Sequence, residues 1–394
     1  MDNKEYENDL NWPRIKEFSD QIDTPFLVVD LRKVNENYKE MAREFPQSDI
    51  FYAVKANPAV EVLNSIKDEG ACFDIASIYE LDRVLELGVK ADRISYGNTI
   101  KKVKDIQYAY EKGVKLFATD SEMDLLNVMQ HAPGARIYIR LLVEGAQSAD
   151  WPLARKFGCS MEEVKRLISL AKQKGVDIYG ISFHVGSQQR NILVWEYALI
   201  KVKEIFEWTY ENEGYPLEMI NLGGGLPSDY LNPVEDLSVY AEHISRFVEQ
   251  HFSNWQPRIL IEPGRSLVGN TGVLVSEVVL VSKKNQFENF RWVYLDTGKF
   301  NGLIETLEES IKYPIQTDKK GELGPVVLAG PTCDGMDIMY EEYKYELPLS
   351  LERGDRVYWL STGAYTSSYC SVEFNGFPPM KTYFIDKEER IPTT

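Results

Sequence analysis

A lysine stands near the end of an otherwise apolar stretch, at Lys55 within Phe51–Pro58. The stretch predicts a short β-strand, so the lysine lies where that strand ends. A lysine in this position usually reaches out to solvent, and this motif alone leaves that interpretation open. When the amine is desolvated instead, it loses its proton and can form an imine with an aldehyde. Lys55 is therefore a candidate nucleophile.

Two further motifs could bind a phosphate group. The triplet Gly223–Gly225 leaves backbone N–H groups open to an anion, although a tight turn would use the same residues. The segment Ser182–Ser187 adds the hydroxyl of Ser187 and the imidazole of His184. A structural role for this histidine stays open.

The segment Ile261–Arg265 places a carboxylate and a guanidinium three positions apart, Glu262 and Arg265, with Gly264 between them. A carboxylate can keep a pyridine nitrogen protonated, and an arginine can hold a phosphate through two hydrogen bonds. A simple local ion pair between the two is the alternative.

Two later loops carry groups that could act on a substrate. In Gly330–Asp337, Cys333 offers a thiol that can transfer a proton, and Asp334 offers a carboxylate that can bind an amine. Tyr365 offers a phenol donor in another loop. A buried turn cysteine and a core tyrosine are the alternatives.

Eight β-rich runs alternate with helical patterns and predict how these groups are positioned. The runs are Asp49–Lys55, Ala71–Ile75, Arg93–Tyr96, Lys115–Thr119, Arg136–Val143, Ile178–Val185, Met219–Leu222 and Arg258–Ile261. The helical patterns include Val60–Lys67, Ile78–Leu87, Met161–Lys174, Trp195–Asn212 and Leu237–His251, often closed by a glycine, as at Gly70, Gly88, Gly113, Gly175 and Gly214.

This alternation is typical of a (β/α)₈ barrel, with an open doubly wound sheet as the alternative. The unusual polar residues decide between them, because they follow the carboxyl ends of the runs. They are Lys55, Asp74, Asn98, Asp120, Arg140, His184, Gly223–Gly225 and Glu262. In a barrel these ends converge on one mouth, so we predict the barrel.

From Gly272 onward, strand patterns follow one another without long helices. They are Val273–Val281, Trp292–Asp296, Val326–Ala329 and Val357–Leu360. We predict a TIM-type barrel over residues 31–268 and a C-terminal all-β sandwich or barrel over residues 269–394. Residues 1–30 form a lead and the strand Phe26–Asp30, which we expect to join the β-domain.

The net charge of the chain bears on which partners it could bind. Of 394 residues, 44 are Lys or Arg and 61 are Asp or Glu, giving a net charge of −17. That charge disfavours nucleic acid and anionic membranes and favours small cationic ligands. The best membrane-span candidate, Gly272–Val281, is short and interrupted by Glu277.

The termini and cysteines bear on location. Met1–Phe18 is polar, with no secretory or transit pattern. The cysteines, at Cys72, Cys159, Cys333 and Cys370, are too few and too scattered for a disulfide framework or a zinc site. We therefore expect a protein of the reducing cytoplasm with no metal.

Taken together, the motifs resemble the fold type III, alanine-racemase-like pyridoxal-phosphate enzymes. Within them the sequence is most similar to the ornithine decarboxylase branch, above all its short bacterial members. Four motifs match in order and spacing: Tyr52–Pro58, His184–Ser187, Glu262–Arg265 and Pro331–Asp334. The resemblance runs from Thr24 to the segment Phe374–Phe377.

The resemblance implies pyridoxal 5′-phosphate as cofactor. Lys55 matches the lysine of the internal Schiff base, His184 the residue stacked on the ring, and Glu262 the partner of the pyridine nitrogen. The implied cofactor-binding set is Lys55, Asp74, Arg140, His184, Ser187, Gly223, Gly224, Gly225, Glu262, Gly264, Arg265 and Tyr365, of which Ser187, Gly225, Arg265 and Tyr365 match phosphate ligands. Asn98 resembles a further position on the cofactor side.

The resemblance also implies decarboxylation of L-ornithine to putrescine, in polyamine biosynthesis. The family forms a homodimer with shared sites, in which Cys333 matches the proton donor and Asp334 a ligand of the substrate amine, both supplied by the other subunit. Lys156, in Arg155–Gly158, resembles a lysine that pairs across this interface with the acid matching Asp337.

One segment, Gly298–Glu309, departs from the family pattern, because the aspartate that binds the distal amine has no unambiguous counterpart. Glu305 is the first candidate and Glu308 the second. Lysine differs from ornithine by one methylene, worth only ~1–3 kcal/mol in a pocket. A lysine or dual lysine/ornithine decarboxylase therefore stays open, as does a non-catalytic regulatory homologue.

Overall fold

The computed structural model describes residues 10–145, 148–152, 155–371, 375 and 378–386. The strands are β1 (Phe26–Asp30), β2 (Ser48–Ala53), β3 (Cys72–Ile75), β4 (Ile94–Tyr96), β5 (Leu116–Thr119), β6 (Arg136–Arg140), β7 (Gly180–Ser182), β8 (Met219–Asn221), β9 (Arg258–Ile261), β10 (Gly272–Ser282), β11 (Arg291–Leu295), β12 (Ile315–Thr317), β13 (Leu323–Ala329), β14 (Ile338–Pro348), β15 (Arg356–Leu360) and β16 (Lys381–Ile385). The helices are α1 (Trp12–Gln21), α2 (Leu31–Glu44), α3 (Val60–Asp68), α4 (Ile78–Glu86), α5 (Val103–Glu111), α6 (Glu122–His131), α7 (Met161–Gln173), α8 (Leu193–Glu213), α9 (Leu237–Phe252) and α10 (Arg265–Val268).

The chain divides into two compact units. The barrel unit consists of residues 37–227 and 235–265, and the sheet unit of residues 1–36, 228–234 and 266–394. Of the motif Phe374–Phe377 only Asn375 is among the described residues, and residues 1–9 of the predicted lead also lie outside them.

Strands β2 to β9 form a closed parallel barrel, which confirms the barrel over the open sheet. Closure comes from β9 pairing with β2, with Ser48 opposite Ile259 and Ile50 opposite Ile261. Such strands are covered on both faces, which is why they read as nearly continuous apolar runs. Six buried side chains from five of these strands pack into one cluster: Phe51, Leu116, Ala118, Tyr138, Met219 and Leu260.

Three strands end two or three residues earlier than predicted. The runs predicted to reach Lys55, Val143 and Val185 end at Ala53, Arg140 and Ser182. At each end the chain leaves the ladder for a local contact: a 3₁₀ turn covers Val54–Ala56, the N–H of Leu142 bonds to Cys159, and Gly186 bonds to the His184 ring. The candidate site residues are therefore carried by loops that begin at the strand ends.

The helices agree closely with their predicted bounds, and their glycine ends are confirmed. Gly214 closes α8 in the left-handed conformation, at φ 75°, which glycine adopts without steric cost. The other four glycines predicted to end helices also have positive φ. No helix in the described part of the chain is long and apolar enough to span a membrane.

The sheet unit is built on β10, and the predicted all-β domain is confirmed. The strand order is β12-β15-β10-β11-β13-β14, and β1 pairs with both β10 and β16. The first half of β10 lies between β1 and β15, and its second half pairs with β11. All three pairings are antiparallel.

Helix α1 was missed in the polar N-terminal lead. Its Ile15 and Phe18 are buried in a cluster with Phe26, Val273 and Tyr358. The apolar positions are few, so only their packing against the sheet reveals the helix. The sequence analysis also missed β12, β14 and β16.

Candidate active site

Lys55 sits in the 3₁₀ turn that follows β2. Its neighbours Val54 and Ala56 are buried and anchor the turn, whereas the lysine side chain itself is exposed. In the chain on its own, Lys55 therefore reaches solvent, one of the two interpretations that the motif left open. Its charge nevertheless acts on Asp74 and His184, so these groups lie close to one another.

Asp74 is a buried carboxyl in β3, opposite Ala53 in the ladder and 7% exposed. Its Oδ1 has no hydrogen-bond partner among the residues that the structure describes. Burial and the nearby Glu262 raise the pKa of Asp74 well above its ordinary value, against the charges of Lys55 and Arg140. Gly97 allows this packing, since a Cβ there would lie 2.1 Å from Oδ1. A buried polar atom without a partner indicates that it binds a group that is not part of the polypeptide.

Glu262 follows β9 and is held by the strand beside it. The side-chain amide of Asn221, at the end of β8, donates to Glu262 Oε1. The other side of that amide accepts from the N–H of Gly223 at 2.9 Å. Asn221 therefore fixes the carboxylate relative to the glycine triplet, and the sequence analysis did not single it out.

The glycine triplet leaves no room for side chains. A Cβ on Gly223 would lie 2.1 Å from the Phe183 carbonyl oxygen, and one on Gly224 would lie 2.7 Å from that of Glu262. On Gly225 it would lie 2.5 Å from Val185 Cγ2. Such close approach of bare backbone is what a phosphate cradle requires.

Arg265 and Ser187 meet beside this cradle. Arg265 is only 3% exposed, and its Nε donates to Ser187 Oγ at 3.1 Å. A buried guanidinium with a hydroxyl alongside can bind an anion at low dielectric cost. Gly264 precedes Arg265, where α10 begins.

His184 is neutral in this environment. Its Nδ1 accepts from the N–H of Gly186 at 3.1 Å, which leaves the ring proton on Nε2. Burial lowers the pKa of His184 well below its ordinary value, and the charges of Arg140 and Lys55 add to the effect. Arg140, at the end of β6, lies 5.1 Å from the centre of the Phe157 ring. Burial lowers the pKa of Arg140 as well.

Two further residues, Asn98 in the loop after β4 and Glu80 in the first turn of α4, show different roles. The Asn98 amide bonds to the carbonyl of Ala76 at 3.0 Å and accepts from the N–H of Ile100 at 3.0 Å, so it shapes its own loop. Glu80 was not singled out by the sequence analysis. It accepts from the N–H of Ala76 at 2.6 Å, and burial raises its pKa against this bond and the charge of Lys55. The only sequence signal for it is its place three residues after the N-cap Ser77.

The sheet unit carries the remaining candidates. Cys333 and Asp334 are exposed in the loop between β13 and β14. The N–H of Cys333 bonds to Asn375 Oδ1 at 3.2 Å, and its thiol lies 3.6 Å from the same atom. Asp334 caps the turn by accepting from the N–H of Met336 at 2.8 Å.

Asp337 is held by backbone and side-chain groups of its own chain. It is 2% exposed, and its carboxylate accepts from the N–H of Lys299 and from both the N–H and hydroxyl of Thr332. Lys299, from the turn after β11, and Thr332, from the same loop, thus hold Asp337, and its pairing with Lys156 of a second chain stays a prediction. The exposed acid of this loop is Asp334.

The two candidates for binding the distal amine of the substrate, Glu305 and Glu308, differ in their exposure to solvent. Glu305 is 2% exposed, whereas Glu308 is exposed and left-handed, at φ 54°. The neighbouring Glu309 has a structural role, because its carboxylate accepts the N–H groups of Glu341, Glu342 and Tyr343. Tyr365 is partly exposed in the loop after β15.

The residues of the barrel mouth fit one type of cofactor. An amine, a fixed carboxylate, a neutral imidazole and an anion cradle suit a planar aldehyde with a ring nitrogen and a phosphate. The unpartnered oxygen of Asp74 and the side-chain-free glycine cradle are the observations that support this fit.

Comparison with known proteins identifies the family. Residues 31–269 match the pyridoxal binding domain of the pyridoxal-dependent decarboxylases. The chain belongs to this family. It is a fold type III, pyridoxal-phosphate-dependent amino-acid decarboxylase, a carboxy-lyase.

Its relatives differ in substrate. A lysine/ornithine decarboxylase of Selenomonas ruminantium is 32% identical, over 93% of this chain and 91% of the relative. An ornithine decarboxylase of Schizosaccharomyces pombe is 30% identical, over 92% and 84%. The crystal structure of a Paramecium bursaria Chlorella virus arginine decarboxylase bound to agmatine superposes with a TM-score of 0.86 at 28% identity, covering 94% of this chain and 100% of that one.

Proposed function

We propose that this decarboxylase acts on L-ornithine and releases putrescine, in polyamine biosynthesis. The observation that carries the proposal is the exposed pair Cys333 and Asp334. A thiol able to give a proton stands beside a carboxylate able to bind a second ammonium group, as a substrate with two amines requires. Two relatives whose names include ornithine support the choice of that substrate.

We assign the cofactor contacts to the barrel mouth. Lys55 attaches the cofactor aldehyde, Glu262 pairs with the ring nitrogen, and His184 packs on the ring. Ser187, Gly225 and Arg265 hold the phosphate, and Tyr365 is a further ligand. Bound pyridoxal phosphate supplies an electron sink for the pair left behind when CO₂ departs.

Each assigned residue has a step that its chemistry allows. The negative charge of Glu262 keeps a proton on the ring nitrogen, which stabilises charge drawn into the ring. The neutral His184 can lie against the ring without adding a positive charge. Cys333 would give a proton to the α-carbon, and Lys55 would hold the cofactor aldehyde between turnovers.

We propose a homodimer with two shared sites, in which Cys333 and Asp334 of one chain serve Lys55 of the other. The exposed Asp334 carboxylate accepts only the N–H of Met336 among the contacts described, so it is open to a substrate amine. Glu305 is the candidate for the distal amine, ahead of Glu308.

A reducing cytoplasm suits a chain whose four cysteines are all free thiols.

The test is a decarboxylation assay with ornithine, lysine, arginine and diaminopimelate at equal concentration. We expect the highest kcat/KM with ornithine, and a loss of this preference in Asp334→Asn. Higher kcat/KM with lysine or arginine would overturn the substrate. Turnover of none of the four by a chain that binds pyridoxal phosphate would instead favour a non-catalytic homologue.

A further inference from the structure

Gln189 is a fully buried amide next to the phosphate cradle and has no part in the proposed chemistry. Its Nε2 donates to the carbonyl of Val185 at 2.8 Å, and its second N–H faces the Gly145 carbonyl at 3.3 Å and Ser148 Oγ at 3.2 Å. Its Oε1 accepts from the N–H of Asn191 at 3.0 Å. One side chain thus joins the loop after β7, the start of α8 and the loop after β6.

The backbone of Gln189 bonds directly to the cradle. Its N–H donates to the carbonyl of Gly225 at 2.9 Å. The preceding residue, Gln188, is left-handed at φ 59°, a conformation that costs energy for a residue with a side chain. Such a conformation persists only where the surroundings hold it in place.

The other side of this segment is held by the loop after β6. Ser187 and Trp151 exchange two backbone hydrogen bonds, at 3.1 and 3.2 Å, and the N–H of Asp150 bonds to Gln188 at 3.1 Å. The side-chain bonds of Gln189 to Gly145 and Ser148 hold the near end of that same loop. The strained turn between Ser187 and Gln189 is therefore fixed from two directions.

We propose that Gln189 is a positioning residue for the phosphate end of the cofactor. It holds the turn that aims Ser187 Oγ at Arg265, and it ties this turn to Gly225. The inference rests on the proposed placement of the phosphate at Ser187, Gly225 and Arg265. Without the Gln189 amide, the turn relaxes and the cradle loses its spacing, whereas contacts to the cofactor ring remain.

The test compares pyridoxal phosphate with pyridoxal, which lacks the phosphate. Full-length chain stripped of cofactor is titrated with each, and the dissociation constants are measured by absorbance. Gln189→Met keeps the length of the side chain but none of its hydrogen bonds. We expect its affinity for pyridoxal phosphate to fall roughly tenfold and its affinity for pyridoxal to stay unchanged.

Two controls separate positioning from general instability. The readout is the affinity for pyridoxal phosphate divided by the affinity for pyridoxal. Thr209→Val removes another fully buried hydrogen bond of the barrel unit, from Thr209 Oγ1 to the Ile205 carbonyl, and should leave this ratio unchanged. Ser148→Ala removes one exposed partner of Gln189 and should lower the ratio by about threefold. This second variant decides the matter if Gln189→Met does not fold.

Arg265→Gln tests the placement itself, because it should lower the ratio more than any other variant. A ratio unchanged in Arg265→Gln overturns the proposed phosphate site and the inference with it. A ratio lowered in Arg265→Gln but unchanged in Gln189→Met, or in Ser148→Ala when the former is unfolded, overturns the positioning role alone. An equal loss of both affinities also overturns it.

Discussion

Asn221 donates a hydrogen bond to Glu262 from the neighbouring strand, and its carbonyl oxygen accepts the N–H of Gly223. The carboxylate that we assign to the ring nitrogen and the backbone that we assign to the phosphate are therefore set by one amide. Asn221 ends β8 and Glu262 follows β9, so two neighbouring strands of a closed barrel hold the distance between Glu262 and Gly223 fixed.

Replacing Glu262 tests its assigned role. Glu262→Gln should still bind cofactor but lose turnover by roughly a hundredfold or more, because a neutral amide no longer favours a protonated ring. Steady-state kinetics and cofactor absorbance measure the two effects. Glu218→Gln, an exposed change just before β8, is the control. Wild-type turnover in Glu262→Gln would rule out the assignment.

Attachment of the cofactor to Lys55 can be seen directly. Borohydride reduction of the holoenzyme followed by peptide mapping should place the label on Lys55, because this amine sits in the turn at the barrel mouth. Lys55→Arg should take up no label. A label on any other lysine contradicts the assignment.

The low pKa of His184 has a consequence for stability. Its pKa is lower in the folded chain than in the unfolded one, where it is about 6.5. The unfolded state therefore binds the extra proton, and acidification through pH 6.5 destabilises the fold. Between about pH 7 and pH 5.5, cofactor-free wild type should lose about 1 kcal/mol more of unfolding free energy than His184→Phe.

Urea titrations at both pH values measure this difference. Asp74 acts with the opposite sign, since its raised pKa favours the protonated folded state, but it is present in both proteins. Equal losses in wild type and His184→Phe would show that the imidazole is not held neutral.

A shared site makes two inactive chains complement one another. Mixed Lys55→Ala and Cys333→Ala chains form mixed dimers half of the time, each with one intact site, so about a quarter of wild-type activity should return. Each variant mixed with itself is the control. No recovery, with subunit exchange shown independently, means that each site is built within one chain.

The two acids of the Cys333 loop should behave differently. Asp337→Ala removes the acceptor for Lys299 and Thr332 and should lower the free energy of unfolding by about 3 kcal/mol. Asp334→Ala, at an exposed position, should change it by less than about 0.5 kcal/mol while raising KM. Chemical denaturation and kinetics separate the two. Equal destabilisation by both would contradict this division of roles.

The barrel could be predicted because the spacing of apolar residues distinguishes strands from helices, and the positions of polar residues mark the strand ends. Apolar runs alternate with amphipathic helices, and the polar exceptions fall at strand ends. The sequence could not reveal Asn221, since an amide inside an apolar run does not show which neighbouring strand it faces. It could not reveal Gln189 either, since an amide in the polar stretch Ser187–Asn191 does not show which loops it joins. Nor could it reveal the hydrogen bonds of Asp337 to Lys299 and Thr332, since these depend on how two separate loops meet. The exposure of Lys55 likewise depends on how its turn sits, which residue types do not specify.

Strand β1 pairs with β10 on one edge and with β16 on the other, and all five of its residues are buried. Its partners begin at Gly272 and Lys381, so the ribosome completes the entire barrel before either edge of β1 can be covered. Throughout that interval an apolar strand with two open edges is exposed to other nascent chains. The N-terminal strand is therefore the segment for which chaperone protection during synthesis matters most.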